Sequence, residues 1–200
     1  MSNSIEISII IPVYNEEVGL KKTLNRMKAI LNNESYETII VNDGSSDSTS
    51  DVLKEFKGIM VIDHENNHGY GASLKTGIKN ANNDIICITD ADGTYPTEKI
   101  PYFLNQLIEN DLDMVVGART GKNVKIPMLR KPAKWVIGKL ANWVTGQPIP
   151  DINSGLRVFK KSSFMPFQYI VPDGFSFTTT ITLGMLSGGY KVKFIPSLKY

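Results

Sequence analysis

The chain has 200 residues, 42% of them hydrophobic and 21% charged, with a formal net charge of +2. That length suits a folded core, and the composition excludes disordered and fibrous classes. A lone cysteine, Cys87, rules out an intrachain disulfide framework; no apolar run approaches the ~18 residues that read as a membrane span, and Met1 to Ser4 has no basic signal-peptide region, so the expectation is a soluble, cytosolic chain.

Ile7 to Val13 reads as a buried strand rich in β-branched residues, ending at Pro12-Val13-Tyr14-Asn15-Glu16-Glu17. Leu20, Leu24, Met27 and Leu31 then recur at helical spacing. Thr38 to Val41 is a second strand, followed by a turn at Asn42-Asp43-Gly44 and capping residues for a helix through Val52, Leu53 and Phe56. Ile59 to Ile62 is a third strand, and Gly69-Tyr70-Gly71 opens a helix that runs to about Asn80. The apolar run Ile85 to Ile88 is a fourth, delivering Asp90-Ala91-Asp92-Gly93-Thr94. Thr97 to Asn110 is helical and Asp113 to Gly117 extended. Farther on, Met128 to Thr145 reads as a basic amphipathic helix, Leu156 to Phe159 as a strand, Phe175 to Ser187 as a helix despite its threonines, and Val192 to Ile195 as a last strand.

Strands alternating with helices on short connections predict an α/β fold, a mostly parallel sheet with helices on both faces. In such a sheet the loops at Tyr14-Asn15-Glu16, Asn42-Asp43-Gly44 and Asp90-Ala91-Asp92 share one edge, the edge where ligands bind. Charge is sorted along the chain as well. Residues 1 to 113 hold 18 of the 20 acids but 9 of the 22 bases, a local balance of −9; the remainder holds only Asp151 and Asp173 against 13 bases, a balance of +11. A basic half fits an anionic partner, whether nucleic acid, a membrane surface or a phosphorylated substrate; the bland alternative is a solvated face.

Two carboxylates one residue apart after a strand suit a hard cation, Mg²⁺ or Mn²⁺, that would bridge to diphosphate oxygens. An ordinary solvated turn accounts for most isolated pairs of this kind. Asp-Ala-Asp-Gly-Thr also resembles the nucleophile motif of haloacid-dehalogenase-like phosphohydrolases, but those enzymes need a second acidic cluster that the later acids here do not form.

A broader resemblance covers nearly the whole chain. Ile11-Pro12-Val13-Tyr14-Asn15-Glu16-Glu17, Val41-Asn42-Asp43-Gly44-Ser45, Gly69-Tyr70-Gly71-Ala72-Ser73-Leu74-Lys75, Asp90-Ala91-Asp92 and Val116-Gly117-Ala118-Arg119, in that order, resemble the nucleotide-sugar glycosyltransferases of family 2 with the GT-A fold. Asp151-Ile-Asn-Ser-Gly155-Leu156-Arg157 resembles the branch containing dolichyl-phosphate mannose synthase and polyprenyl-phosphate glycosyltransferases. The resemblance implies a Rossmann-like GT-A catalytic domain over residues 1 to 200 that inverts the sugar while moving it from a nucleoside diphosphate (UDP or GDP) to a polyprenyl or dolichyl phosphate. A glycan hydroxyl is the alternative acceptor. It implies that Pro12, Tyr14, Asn15, Glu16 and Ala91 line the nucleotide-sugar site, with Asp43 at the base and Lys75 nearby. Asp92 would be the principal ligand of Mg²⁺ or Mn²⁺ and Asp90 its partner near the ribose or the metal.

By the same resemblance, Arg119, Arg130 and Arg157 would face the acceptor phosphate and the diphosphate, where a guanidinium fork suits phosphate oxygens. Arg157 has the alternative of pairing with Asp151 inside the fold. Asp151 would be the second catalytic carboxylate, but a phosphate monoester with a second pKa of about 6 is already mostly ionised, so orienting the site is the stronger expectation than taking a proton. Thr94 stands where mannose synthases often have Gln, and the Gln-x-x-Arg-Trp motif of processive synthases is not found, which implies single transfer. Relatives typically continue past the last strand with a basic segment and membrane-associated helices, so the expectation is an excised catalytic domain working at the cytoplasmic face of a membrane, with no nucleic-acid partner.

Overall fold

The computed structural model describes residues 6–27, 36–120, 146 and 148–199. Seven strands form one sheet: β1 (Ile7–Val13), β2 (Tyr36–Asn42), β3 (Met60–Asp63), β4 (Ile85–Ile88), β5 (Met114–Thr120), β6 (Arg157–Lys160) and β7 (Val192–Lys199), in spatial order β3-β2-β1-β4-β6-β5-β7. The pairs β1–β2, β1–β4, β2–β3 and β5–β7 are parallel, whereas β6 runs antiparallel to both β4 and β5. The expected mostly parallel α/β sheet is therefore present. The antiparallel strand between β4 and β5 carries a consequence for function: its N-terminal end, and so the loop 151–155, reaches the edge where the parallel strands end.

Helices α1 (Glu17–Arg26), α2 (Thr49–Lys54), α3 (Tyr70–Asn80), α4 (Ile100–Glu109), α5 (Lys161–Phe164) and α6 (Phe177–Ser187) cover the sheet. Strand β1 shows why both faces must be covered, because all seven of its residues are buried. Ile7, Ile9 and Ile11 join a cluster with Leu20, Leu24 and Phe103, while Ile10 joins Leu74, Ile78, Phe159 and Ile181 on the opposite face. Each such side chain contributes about 1.5–3 kcal/mol by leaving water.

Most predicted elements stand with ends shifted by one to three residues. The first helix spans Glu17–Arg26; Leu31 lies outside the described residues, as does the predicted basic helix over 128–145. The turn α5 has no counterpart in the sequence reading, since four residues are too few to show a period. Among the described residues, no helix is long and apolar enough to cross a membrane.

Candidate active site

The loops after β1, β2 and β4 meet at a cavity of about 700 Å³, lined among others by Pro12, Tyr14, Glu16, Asp43, Asp90 and Asp92. Because β2, β1 and β4 are adjacent and parallel, their carboxyl ends bring residues some thirty to eighty positions apart in sequence onto one edge. Four of the predicted carboxylates, Glu16, Asp43, Asp90 and Asp92, thus converge as expected from the sheet.

Helix α1 fixes the Asp90-Ala91-Asp92 loop. The Glu16 side chain caps the helix by accepting from the Gly19 amide (3.2 Å), Thr23 Oγ1 donates to the Ala91 carbonyl (2.9 Å), and Arg26 donates to the Gly93 carbonyl (3.1 Å). Gly19 packs so closely that a Cβ there would overlap Glu16 Oε1 and the Asp92 backbone. Asp92 is exposed, and its Oδ1 accepts from the Thr94 amide (2.8 Å).

Asp90 is held differently. Tyr70 Oη donates to its Oδ1 at 2.9 Å, and a Cβ at Gly155 would run into its carboxylate oxygens, so only glycine allows the loop before β6 to approach. Burial raises the Asp90 pKa and Asp92 adds to the rise; the Tyr70 hydroxyl and the cations Arg119 and Arg157 pull it back in part. A half-buried carboxyl with an exposed carboxylate beside it is a site that a hard divalent cation would neutralise. Two carboxylates supplemented by phosphate oxygens match the way Mg²⁺ is commonly bound. Among the described residues no group of three His, Cys, Asp or Glu gathers into a protein-only metal cage.

Asp43, 3% exposed, takes hydrogen bonds from His64 Nδ1 (2.7 Å), the His68 amide (2.9 Å) and the Gly69 amide (2.8 Å). Burial pushes its pKa up, but these donors outweigh it and hold the carboxyl below its ordinary value. Gly69 adopts φ 102° at the start of α3, and a Cβ there would collide with the Asp173 carbonyl, which accepts from the Ala72 amide (3.0 Å).

Other predicted residues have different surroundings. Asn15, at φ 49°, turns its side chain toward the neighbouring loop, where Oδ1 accepts from the Ser46 amide (2.7 Å); it clasps two loops and does not line the cavity. Lys75 pairs with Asp173 (2.8 Å) and thereby ties down the loop that carries Phe175. Arg119 makes a two-pronged bridge to Asp151, Nε to Oδ2 at 2.7 Å and Nη2 to Oδ1 at 2.9 Å. Arg130 lies outside the described residues.

Arg157 requires a correction. It is 0% exposed, donates to the carbonyls of Ser154 and Thr178 and to Thr182 Oγ1, and so has no surface to offer a phosphate; nor do these contacts include Asp151, the alternative partner. Thr182 of α6 is explained by the same contact. Thr182 donates back to the Thr178 carbonyl (2.7 Å) while accepting from Arg157, a buried polar duty that outweighs the weak helix preference of threonine.

Tyr70, Tyr95, His64 and Phe175 were absent from the predicted set. Tyr95 Oη accepts from the Gly155 amide (2.7 Å), and Phe175, 85% exposed at the cavity, stacks on Tyr70 with ring centroids 5.6 Å apart. The glycines flanking Tyr70 were a usable signal, since they mark a close approach; Tyr95 and His64 carried none.

The sequence profile of "Glycosyl transferase family 2" matches residues 8–166. A UDP-N-acetylglucosamine–dolichyl-phosphate N-acetylglucosaminyltransferase of Methanococcus voltae is 33% identical over 181 residues, covering 78% of this chain and 70% of the relative. A dolichyl-phosphate hexose transferase of Haloferax volcanii is 26% identical over 96% of this chain and 81% of its own length, and a dodecaprenyl-phosphate galacturonate synthase of Rhizobium johnstonii is 27% identical over 80% of this chain but 49% of its own. In structure, glucosyl-3-phosphoglycerate synthase from Mycobacterium tuberculosis, in complex with Mn²⁺, UDP-glucose and phosphoglyceric acid, superposes with a TM-score of 0.74 at 16% identity over 95% of this chain and 69% of that one. A mannosyltransferase from Pyrobaculum calidifontis, in complex with GDP-mannose and Mn²⁺, gives 0.66 at 17% identity over 97% and 55%. The architecture is GT-A, and by sequence the chain belongs to glycosyl transferase family 2.

Proposed function

We propose that the chain transfers a single sugar, with inversion, from a nucleoside diphosphate to a polyprenyl or dolichyl phosphate at the cytoplasmic face of a membrane. The observation that carries the reading is the convergence of Asp43, Asp90 and Asp92 on one cavity in a chain whose relatives act on polyprenyl and dolichyl phosphates. Pro12, Tyr14 and Glu16 flank the nucleoside, Asp43 meets its base, and Asp92 with Asp90 would hold Mg²⁺ or Mn²⁺. When bound, that ion supplies positive charge where the leaving diphosphate gains negative charge.

In the transfer, an oxygen of the lipid phosphate forms a bond to the anomeric carbon from the face opposite the leaving group, and the bond from that carbon to the nucleoside diphosphate breaks. The acceptor oxygen is already ionised, so the step needs no base. Asp151 has the matching role: 4% exposed and bridged to Arg119, it orients a guanidinium toward the acceptor phosphate instead of taking a proton. The Arg119 guanidinium offsets part of the burial-driven rise in the Asp90 pKa, which supports reading it as an acceptor-side cation close to the donor-side carboxylates.

The test is radiolabelled transfer with Mn²⁺, UDP- and GDP-sugars, and either dodecaprenyl phosphate or neutral glycans as acceptors. Labelled lipid phosphate is the expected product. Label on glycans alone would overturn the acceptor assignment, and phosphate release from simple esters would revive a hydrolase.

A further inference from the structure

Asp43 offers a ligand less than a free carboxylate does. An ionised carboxylate only accepts, with about four lone-pair positions. Two of these, on Oδ1, are taken by His64 Nδ1 and the His68 amide; a third, on Oδ2, is taken by the Gly69 amide. The imidazole that crowds Oδ1 is fixed from three sides. Its other nitrogen, Nε2, lies 3.0 Å from Thr76 Oγ1 on α3, its face stacks on His68 with centroids 4.9 Å apart, and its side chain is 11% exposed. With Oδ1 saturated, one acceptor position, on Oδ2, remains on a residue that lines the cavity.

We propose that His64 is a positioning residue that sets nucleobase selectivity: by occupying Oδ1 of Asp43 it confines the carboxylate to a single acceptor on Oδ2, which is matched by a ring N–H of the base. This rests on the reading of the cavity as a nucleotide site. Uracil (N3–H) and guanine (N1–H) carry such a donor. Cytosine presents a bare acceptor nitrogen at the equivalent position, which a carboxylate repels. A site built to accept from a ring N–H rejects a base lacking it, because the carboxylate would lose water without gaining a partner. Without His64 the carboxylate can turn and offer Oδ1, for example to the exocyclic amine of cytosine, so selectivity should fall even where affinity survives.

Two near-isosteric replacements separate positioning from packing. The amide nitrogen of asparagine takes up roughly the place of Nδ1 and keeps the bond to Asp43; that of glutamine reaches the place of Nε2 and keeps only the bond to Thr76. The experiment is calorimetric titration of the native chain, His64→Asn and His64→Gln with UDP, GDP and CDP in Mn²⁺ buffer, with thermal melts to confirm folding. The native chain should bind UDP or GDP at least ~10-fold more tightly than CDP. His64→Gln should shrink that ratio to within about threefold, and His64→Asn should restore it. Affinities that fall together with the ratio intact in both variants would overturn the assignment, as would loss of the ratio in His64→Asn alone. If His64→Gln does not fold, Thr76→Val, which frees the imidazole from α3, should narrow the ratio, and an unchanged ratio there overturns the proposal. A native chain that binds none of the three nucleotides would instead overturn the nucleotide reading of the cavity.

Discussion

The two halves of the site spend their charges in opposite ways. On the side of β1, β2 and β4, carboxylates line the cavity, held in place mainly by amides and hydroxyls and keeping acceptor capacity for a ligand. On the side of β5 and β6, the described arginines are engaged internally to different degrees: Arg119 is bridged to Asp151 but keeps 30% of its side chain exposed, and Arg157 is sealed against two carbonyls and a threonine. Lys160 and Lys191 likewise both reach Asp111, at 2.9 and 2.8 Å. A local balance of +11 along the sequence therefore does not translate into an equally basic surface among the described residues. What counts is how many cations remain after the fold has paired its own.

The contrast is sharpest in Asp92. Exposed and bonded to one amide, it has little structural duty, so Asp92→Ala should lower transfer by about 10³ or more while shifting the melting temperature by no more than about 2 °C. Comparable activity in the variant would remove Asp92 from the donor side.

Arg157 should show the reverse pattern. Arg157→Met removes the donor to the buried Ser154 carbonyl and Thr182 Oγ1, leaving the Thr178 carbonyl its bond from Thr182, and should cost about 3 kcal/mol in urea unfolding. A variant of native stability but weakened acceptor binding would show that the arginine meets phosphate after all and would erase the difference between the two regions.

Asp151 lies between these extremes. Breaking its two-pronged bridge should cost Asp151→Asn roughly 1–3 kcal/mol and slow transfer to lipid phosphate about tenfold without abolishing it. A loss equal to that of Asp92→Ala would make Asp151 a participant in bond formation.

The smallest effect concerns acid. The folded carboxyl of Asp43 titrates below its unfolded value of about 3.9, so its contribution to stability is complete above that pH and is lost as the pH falls through the lower folded value. In urea melts at stepped pH, Asp43→Asn should flatten the acid limb below about pH 4 and leave the neutral plateau lower; an unchanged limb would mean that the amide donors do not favour the charged form.

Much of this was readable in the sequence because it rests on local periodicity. The isoleucine runs of β1 and β4, the four-residue spacing of Leu20 and Leu24, and the polar loops behind three strands specified a parallel α/β sheet and the edge where Asp43, Asp90 and Asp92 gather. Pairing direction was not readable. The run around Val158 is equally apolar in either orientation, so only assembly of the sheet made β6 antiparallel and brought Gly155 against Asp90. The fates of the polar side chains were decided at the same stage. Arg119 and Arg157 are the same residue type in similar strands, yet one bridges a carboxylate at the site and the other is sealed beneath it, because the long-range neighbours Asp151, Thr178 and Thr182 determine where a guanidinium finds its acceptors. Sequence alone determined which residues form the elements and which loops share an edge. Tertiary structure determined which charges are left over for a ligand, since hydrogen-bond satisfaction in a buried site is settled between residues far apart in the chain.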